Sequence, residues 1–149
     1  MATYYSNDLE WLLIRKGNSF THKKLPEGPI FSTEPGNLTN IHSHKYSGLA
    51  NSKAITVTAT PTGSIQISTR KADSSPHAVK GARSTKSIKA RSGGRKALGA
   101  ASQHAKAGYR PDLRAPTLAR VSRLIETQNE PKADPAKKLR GKKALALPV

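Results

Sequence analysis

The sequence predicts an α+β protein: a small antiparallel sheet carrying a β-hairpin, then a basic extended linker, two helices and an extended C-terminal tail. Three observations predict it. Two segments of period-two alternation flank a Pro-Thr-Gly turn at 61–63. An apolar stripe at helical spacing runs through 118–125. Between them lies a basic stretch without apolar periodicity. The expected organisation is a sheet domain over 1–72, a basic linker over 73–93, a helical region over 94–130 and a basic extended or disordered tail over 131–149.

Each element has its own reason. Residues 9–16 (LEWLLIRK) form a short apolar run flanked by polar residues, the pattern of a strand buried on both faces. Asp8 and Glu10 then sit at a solvated strand edge. After the Gly17-Asn18 turn signal, Phe20 and His22 alternate with polar neighbours, giving a strand over 19–23. Segment 25–29 (LPEGP) is a loop by its Pro and Gly content, and 30–33 reads as a return strand. In 54–60, Ile55, Val57 and Ala59 alternate with threonines; in 64–70, Ile65, Ile67 and Thr69 alternate with Gln66, Ser68 and Arg70. Such alternation around a Pro/Gly turn is a hairpin with one buried face, so Ile55, Val57, Ile65 and Ile67 are the expected core.

Residues 72–93 show no apolar period and read as an extended linker. Helix-forming residues begin near Arg95 and run to Lys106, with Gly94 and Gly99 weakening the helix and Gly108 placed to stop it. The second helix covers 113–128, where Leu118, Val121, Leu124 and Ile125 share one stripe, Arg123 points away and Arg120 lies on the flank. Asp112 is a candidate N-cap, and Pro116 suggests that the regular helix begins only there. The tail from 131 onward mixes Pro, Lys and Ala, with no stripe able to bury it.

Composition limits the core and points to a partner. Leu, Ile, Val and Phe together number 27 of 149 residues, while 19 are Ala. A share below about 20% with high charge disfavours a compact globule using the whole chain. Lys and Arg number 26 against 9 Asp and Glu, a formal net charge of +17. The excess is uneven: residues 1–75 hold 8 basic and 5 acidic side chains, residues 76–149 hold 18 and 4. From Asp73 to Asp112 there is no acid between Lys80, Arg83, Lys86, Lys89, Arg91, Arg95, Lys96, Lys106 and Arg110. Self-repulsion of this kind is relieved beside a polyanion, where neutralised phosphates release counterions. The plain alternative is a solvated charge run, but a solvated face normally mixes both signs.

Other chemistry is poorly supported. The chain has no cysteine, which removes disulfides, thiolate metal sites and a thiol nucleophile. Its apolar runs fall far short of a membrane span or a signal-peptide core, so the expectation is an intracellular, unprocessed chain. His42 and His44 could share one side of a strand, yet no acid supports them as metal ligands. Asp8 and Glu10 are a weak acid/base pair, and no Gly-x-Ser-x-Gly elbow is present. Ser92-Gly93-Gly94-Arg95-Lys96 lacks the full P-loop pattern, although bare amides beside two cations suit a phosphate. Lys137-Lys138-Leu139-Arg140-Gly141-Lys142-Lys143 resembles a nuclear localisation cluster. No catalytic residue, metal or cofactor is expected.

A family resemblance is carried by ordered motifs. They are Trp11 with Ile14-Arg15; Asn18-Ser19-Phe20; Phe31-Ser32-Thr33-Glu34-Pro35-Gly36-Asn37-Leu38; Lys45-Tyr46-Ser47-Gly48-Leu49-Ala50-Asn51 with Lys53; and Tyr109-Arg110-Pro111-Asp112-Leu113-Arg114. Their order over residues 9–128 resembles the eukaryotic large-subunit ribosomal protein twenty-eight family. The resemblance implies a structural constituent of the cytosolic ribosome that lies on large-subunit rRNA beside other ribosomal proteins, after nuclear and nucleolar passage during assembly. It implies no membrane and no small-molecule substrate. With the basic strip, Lys45, Lys53, Tyr109, Arg110, Arg114, Arg120 and Arg123 complete the candidate RNA-binding set. The alternatives are a related nuclear ribosome-assembly factor, whose branch typically carries cysteines and an acidic C-terminal region, and a chromatin-type DNA-binding protein. The second would favour Lys over Arg more strongly than 16 to 10. Relative to the family, the loop 23–30 looks longer and the helix near residue 100 is richer in Gly and Ala.

Overall fold

The computed structural model describes residues 6–23, 26–75, 78–128 and 133–135. The chain is α+β: helix α1 (Asn7–Ile14), strands β1 (Thr21–His22), β2 (Phe31–Ser32), β3 (Ile55–Ala59), β4 (Ile65–Arg70) and β5 (Arg83–Ile88), helix α2 (Gly94–Lys106), a 3₁₀ turn (Pro111–Leu113) and helix α3 (Arg114–Gln128). The strands form two antiparallel sheets rather than one: β1–β2, and β3–β4–β5 with β4 central. The basic cluster 137–143 lies outside the described residues.

The hairpin forms as its alternation dictates. Ile55, Val57, Ile65 and Ile67 are buried, and Val57 stands opposite Ile67. The turn closes through Thr60, whose N–H and hydroxyl both donate to the Ser64 carbonyl, with Gly63 at φ +75°. A left-handed φ at that position is one that glycine adopts without steric cost.

Two elements depart from the sequence reading. Residues 9–16 are not a doubly buried strand. The Ser6 hydroxyl accepts from the Leu9 amide, capping a helix that none of its residues buries fully. Asp8 and Glu10 lie in its first turn, where carboxylates favour the positive end of the helix dipole. Trp11 and Ile14 turn inward, while Leu9, Leu12 and Leu13 share the opposite face, Leu13 at 74% exposure. Trp11 docks on two histidine rings, His42 at 4.9 Å and His44 at 5.6 Å. The His42 Nε2–H donates to the Arg15 carbonyl at 2.9 Å and so pins the helix end.

The second departure is the linker. Residues 83–88 are extended, as expected, but they pair along β4 from Arg70↔Arg83 to Ile65↔Ile88. This is an edge strand of the sheet, hydrogen-bonded to β4 within the chain. Ala82 and Ile88 are buried at its two ends.

One cluster of buried residues spans sheet and helices. Ala97, Ala101 and Ala105, at successive i+4 steps, present a smooth face on α2, so the alanine excess serves close helix packing. Leu113, Thr117 and Val121 supply the facing surface, with Val121 at 0% exposure. Gly108, at φ +76°, ends α2 as the sequence suggested. Pro116 falls in the first turn of α3, where a missing N–H costs little, so the helix starts two residues earlier than that proline implied.

The loop 33–51 holds a buried polar knot. Glu34 is 3% exposed; its Oε1 accepts from Asn37 Nδ2 and its Oε2 from the Ser47 hydroxyl. Asn51 donates to the His44 and Ser47 carbonyls. Gly36 sits at φ +90°, and a Cβ on Gly48 would lie 2.1 Å from the Pro35 carbonyl oxygen.

Two stability experiments check this packing. Ile67→Ala is expected to lose about 2–5 kcal/mol in chemical denaturation, a large part of the roughly 5–15 kcal/mol of a small domain. Gly48→Ala is expected to lose at least about 1–3 kcal/mol through overpacking, whereas Gly81→Ala, with nothing within 4 Å, stays within about 0.5 kcal/mol of wild type. Equal melting of the two glycine variants would contradict the close approach at Gly48.

Candidate nucleic-acid interface

The sheet separates an inner face from an outer one. Odd residues of β3 and β4 point into the core, and the register brings Ser84, Lys86 and Ile88 to the same side on β5. Lys86 therefore starts over the core and runs outward; its Nζ donates to Gln103 Oε1 at 3.2 Å on α2. Such a side chain lays its methylenes on apolar surface and keeps the charge in water. The neighbouring His104 is held below its ordinary pKa, first by burial and then by the Lys86 charge.

The rest of the strip is exposed. Lys80 precedes β5, Arg83 opens it, and Lys89 and Arg91 follow it. Arg91 adopts φ +61°, an uncommon left-handed conformation for a bulky residue. Arg95 and Lys96 occupy the first turn of α2, where cations oppose the helix dipole and no side chain caps the amides. Lys106 is exposed in the last turn. Arg114, half-buried Arg120 and exposed Arg123 lie along α3, and Arg123 is paired with Glu126 at 2.8 Å. Among the described residues one other ion pair occurs, Arg110–Asp112, and an Asp8 carboxylate oxygen lies 3.7 Å from His44 Nδ1. Most of the basic strip is therefore free of internal carboxylates.

Tyr109 and Arg110 are placed differently. The Tyr109 hydroxyl reaches the Ala54 and Arg70 carbonyls, at the start of β3 and the end of β4. Burial raises its pKa against the opposing effect of those contacts and of Arg110. The Arg110 guanidinium grips both Asp112 carboxylate oxygens and donates to the Lys53 and Lys45 carbonyls at 2.7 and 3.0 Å. Its donors are turned inward, so its role here is to clamp the loop 45–53 to the turn before α3. Asp112 caps nothing; the Arg110 hydrogen bonds hold its carboxyl below the usual range. Lys45 and Lys53 stay exposed, with their Nζ atoms 5.6 Å from the Tyr46 ring centre and 5.9 Å from that of Tyr109.

His42 and His44 support the Trp11 contact, and among the described residues no cluster of three metal-ligating side chains occurs. No helix of the described residues is long and apolar enough to cross a membrane.

Sequence reasoning missed Arg70. It is the half-buried end of β4 and lies opposite Arg83. Its position at the close of an alternating strand, on the polar side, was the available signal.

Comparison with known proteins covers the same span. The model of the Ribosomal L28e protein family matches residues 9–127. The Large ribosomal subunit protein eL28 of Dictyostelium discoideum is 35% identical over 135 residues, covering 89% of this chain and 96% of the relative. The protein of that name from Schizosaccharomyces pombe is 34% identical over 130 residues, covering 85% and 96%. That of Caenorhabditis elegans is 43% identical over 65 residues, covering 44% and 51%.

The clamp predicts a pH dependence. A carboxyl held below its ordinary value near 3.8 adds stability that is present above that value and lost as pH falls through the folded pKa. Acid titrations followed by circular dichroism are expected to show a shallower loss below about pH 4 for Asp112→Asn than for wild type. Parallel curves would remove Asp112 from the acid response.

Proposed function

We propose that this chain, which belongs to the Ribosomal L28e protein family, is a structural protein of the large ribosomal subunit that binds and stabilises rRNA through phosphate contacts. Family membership supports the ribosomal role, with a place on the cytoplasmic ribosome of a eukaryote and none among enzymes. The observation that supports phosphate binding is the exposed strip from Lys80 through β5 to the first turn of α2, acid-free and largely without internal partners.

The chemistry follows from the geometry. Exposed lysine and arginine heads displace condensed counterions and position the protein without reading bases. Lys80, Arg83, Lys89, Arg91, Arg95 and Lys96 are the leading contacts, and Arg95 and Lys96 beside the open amides of α2 gain most from an anion. Lys45, Lys53, Lys86, Lys106, Arg114, Arg120 and Arg123 form the wider basic surface. Tyr109 and Arg110 act behind it by fixing the loop that carries Lys45 and Lys53. The protein is expected to be imported to the nucleolus for assembly.

Neighbouring ribosomal proteins are the second partner class. The exposed Leu9, Leu12 and Leu13 face lies beside Asp8 and Glu10 in the least basic part of the chain. Apolar and acidic groups suit a basic protein surface rather than phosphate.

Two measurements test this reading. In a sucrose gradient the protein is expected to run with large subunits and monosomes; recovery mainly in chromatin or free cytosol would overturn it. Replacing Arg91, Arg95 and Lys96 together with Ala is expected to leave the sheet's melting intact. It should flatten the log–log salt dependence of rRNA binding by about 0.7–0.9 per lost contact. An unchanged slope would return these residues to solvent.

A further inference from the structure

The outer face of the three-stranded sheet has so far a role only through Arg83. Its residues are Thr56 and Thr58 on β3, Gln66, Ser68 and Arg70 on β4, and Arg83, Thr85 and Ser87 on β5. The face is polar throughout, and Ser68 and Thr85 already meet across the strands at 3.1 Å. At its end the two arginines stand directly opposite in register. Like charges so placed destabilise an antiparallel pair. Neither guanidinium is hydrogen-bonded or ion-paired to another described residue. Both border one cleft, whose floor includes Thr56 and Ser68 and whose wall includes Pro35 and Gly48. Among the described residues no carboxylate lines it.

We propose that the Arg70–Arg83 pair and this cleft form a phosphodiester clasp, which holds the backbone of an RNA strand crossing the outer face of the sheet. The proposal rests on the ribosomal reading above and adds to it a site and a path for the RNA. An oxyanion between the guanidiniums turns their repulsion into two charge-assisted contacts. The frame is fixed beforehand on both sides. Tyr109 holds the Arg70 carbonyl, Arg70 N–H bonds Ala54, and Gly48 is wedged against the Pro35 carbonyl oxygen. The row of Thr and Ser hydroxyls running from the clasp offers donors and acceptors suited to ribose 2′-hydroxyls and phosphate oxygens. None of the strand residues on this face is aromatic, so the strands offer bases no platform to stack on. Recognition here is of the backbone and not of sequence.

The test uses the full chain carrying Arg70→Gln and Arg83→Gln, bound to purified large-subunit rRNA over a range of salt concentrations. The variant is expected to bind more weakly, with a slope shallower by about 1.4–1.8, two contacts' worth. Its free-state melting temperature is expected to equal or exceed that of wild type, because a repulsion has been removed. Each single variant is expected to lose about half of the slope change. Wild-type slope and affinity in the double variant would overturn the clasp while leaving the ribosomal reading in place. A clear fall in melting temperature would also overturn it, since the arginines would then serve the fold. Failure of the wild-type protein to bind this rRNA at all would overturn both.

Discussion

The structure turns on one short segment that closes the chain back on itself. Gly108 breaks α2 in a left-handed conformation, and the next two side chains return to the first half of the protein. Tyr109 bridges the two ends of the hairpin, and Arg110 holds the carbonyls of residues 45 and 53. These are side-chain donors meeting backbone acceptors more than 35 positions away in sequence. These contacts tie the loop 45–53, the ends of the hairpin and the turn before α3 to one another. The alanine face of α2 and the short stripe of α3 bury little bulk.

Where the sequence was legible, a single face was buried and its period survived. The hairpin shows this, since each second residue of β3 and β4 is either core or outer face. The stripe of α3 shows it at helical spacing. The two misread elements lack a period for opposite reasons. In α1 the four residues Trp11 to Ile14 are all apolar, yet two faces of a helix divide them between inward and outward. The Ser6 cap and the acids behind it were the better signal. In β5 the inner face is Ser84, Lys86 and Ile88, so only its last residue is both apolar and buried. An edge strand that covers its inner face with a lysine stem leaves almost no hydrophobic trace.

The candidate interface was legible in a different sense. Under the proposed function, net charge and the absence of acids mark the residues offered to a polyanion, because a solvated surface has no reason to exclude one sign over so long a stretch. What charge cannot show is which cations the fold has already used. Arg110 sits within the same acid-free run but is consumed by Asp112 and two carbonyls. Arg70 lies outside that run and its guanidinium has no carboxylate partner among the described residues. The difference depends on contacts between distant segments and not on local composition.

Two of the motifs that carry the family likeness, 31–38 and 45–51, meet in the interior. Glu34, Asn37, Ser47, Gly48 and Asn51 build the buried knot, where neutral donors surround the carboxylate. Such networks are costly when half satisfied, so their residue types and spacing are tightly constrained. The knot positions the wall of the Arg70–Arg83 cleft through Pro35 and Gly48, and its loop carries Lys45. A short sheet with a modest apolar core thus presents its charge on a frame set by polar contacts within. Under the proposed function, binding would add stability to that frame by mass action, since only the folded chain brings the cations of α2, β5 and the loop to one polyanion at once.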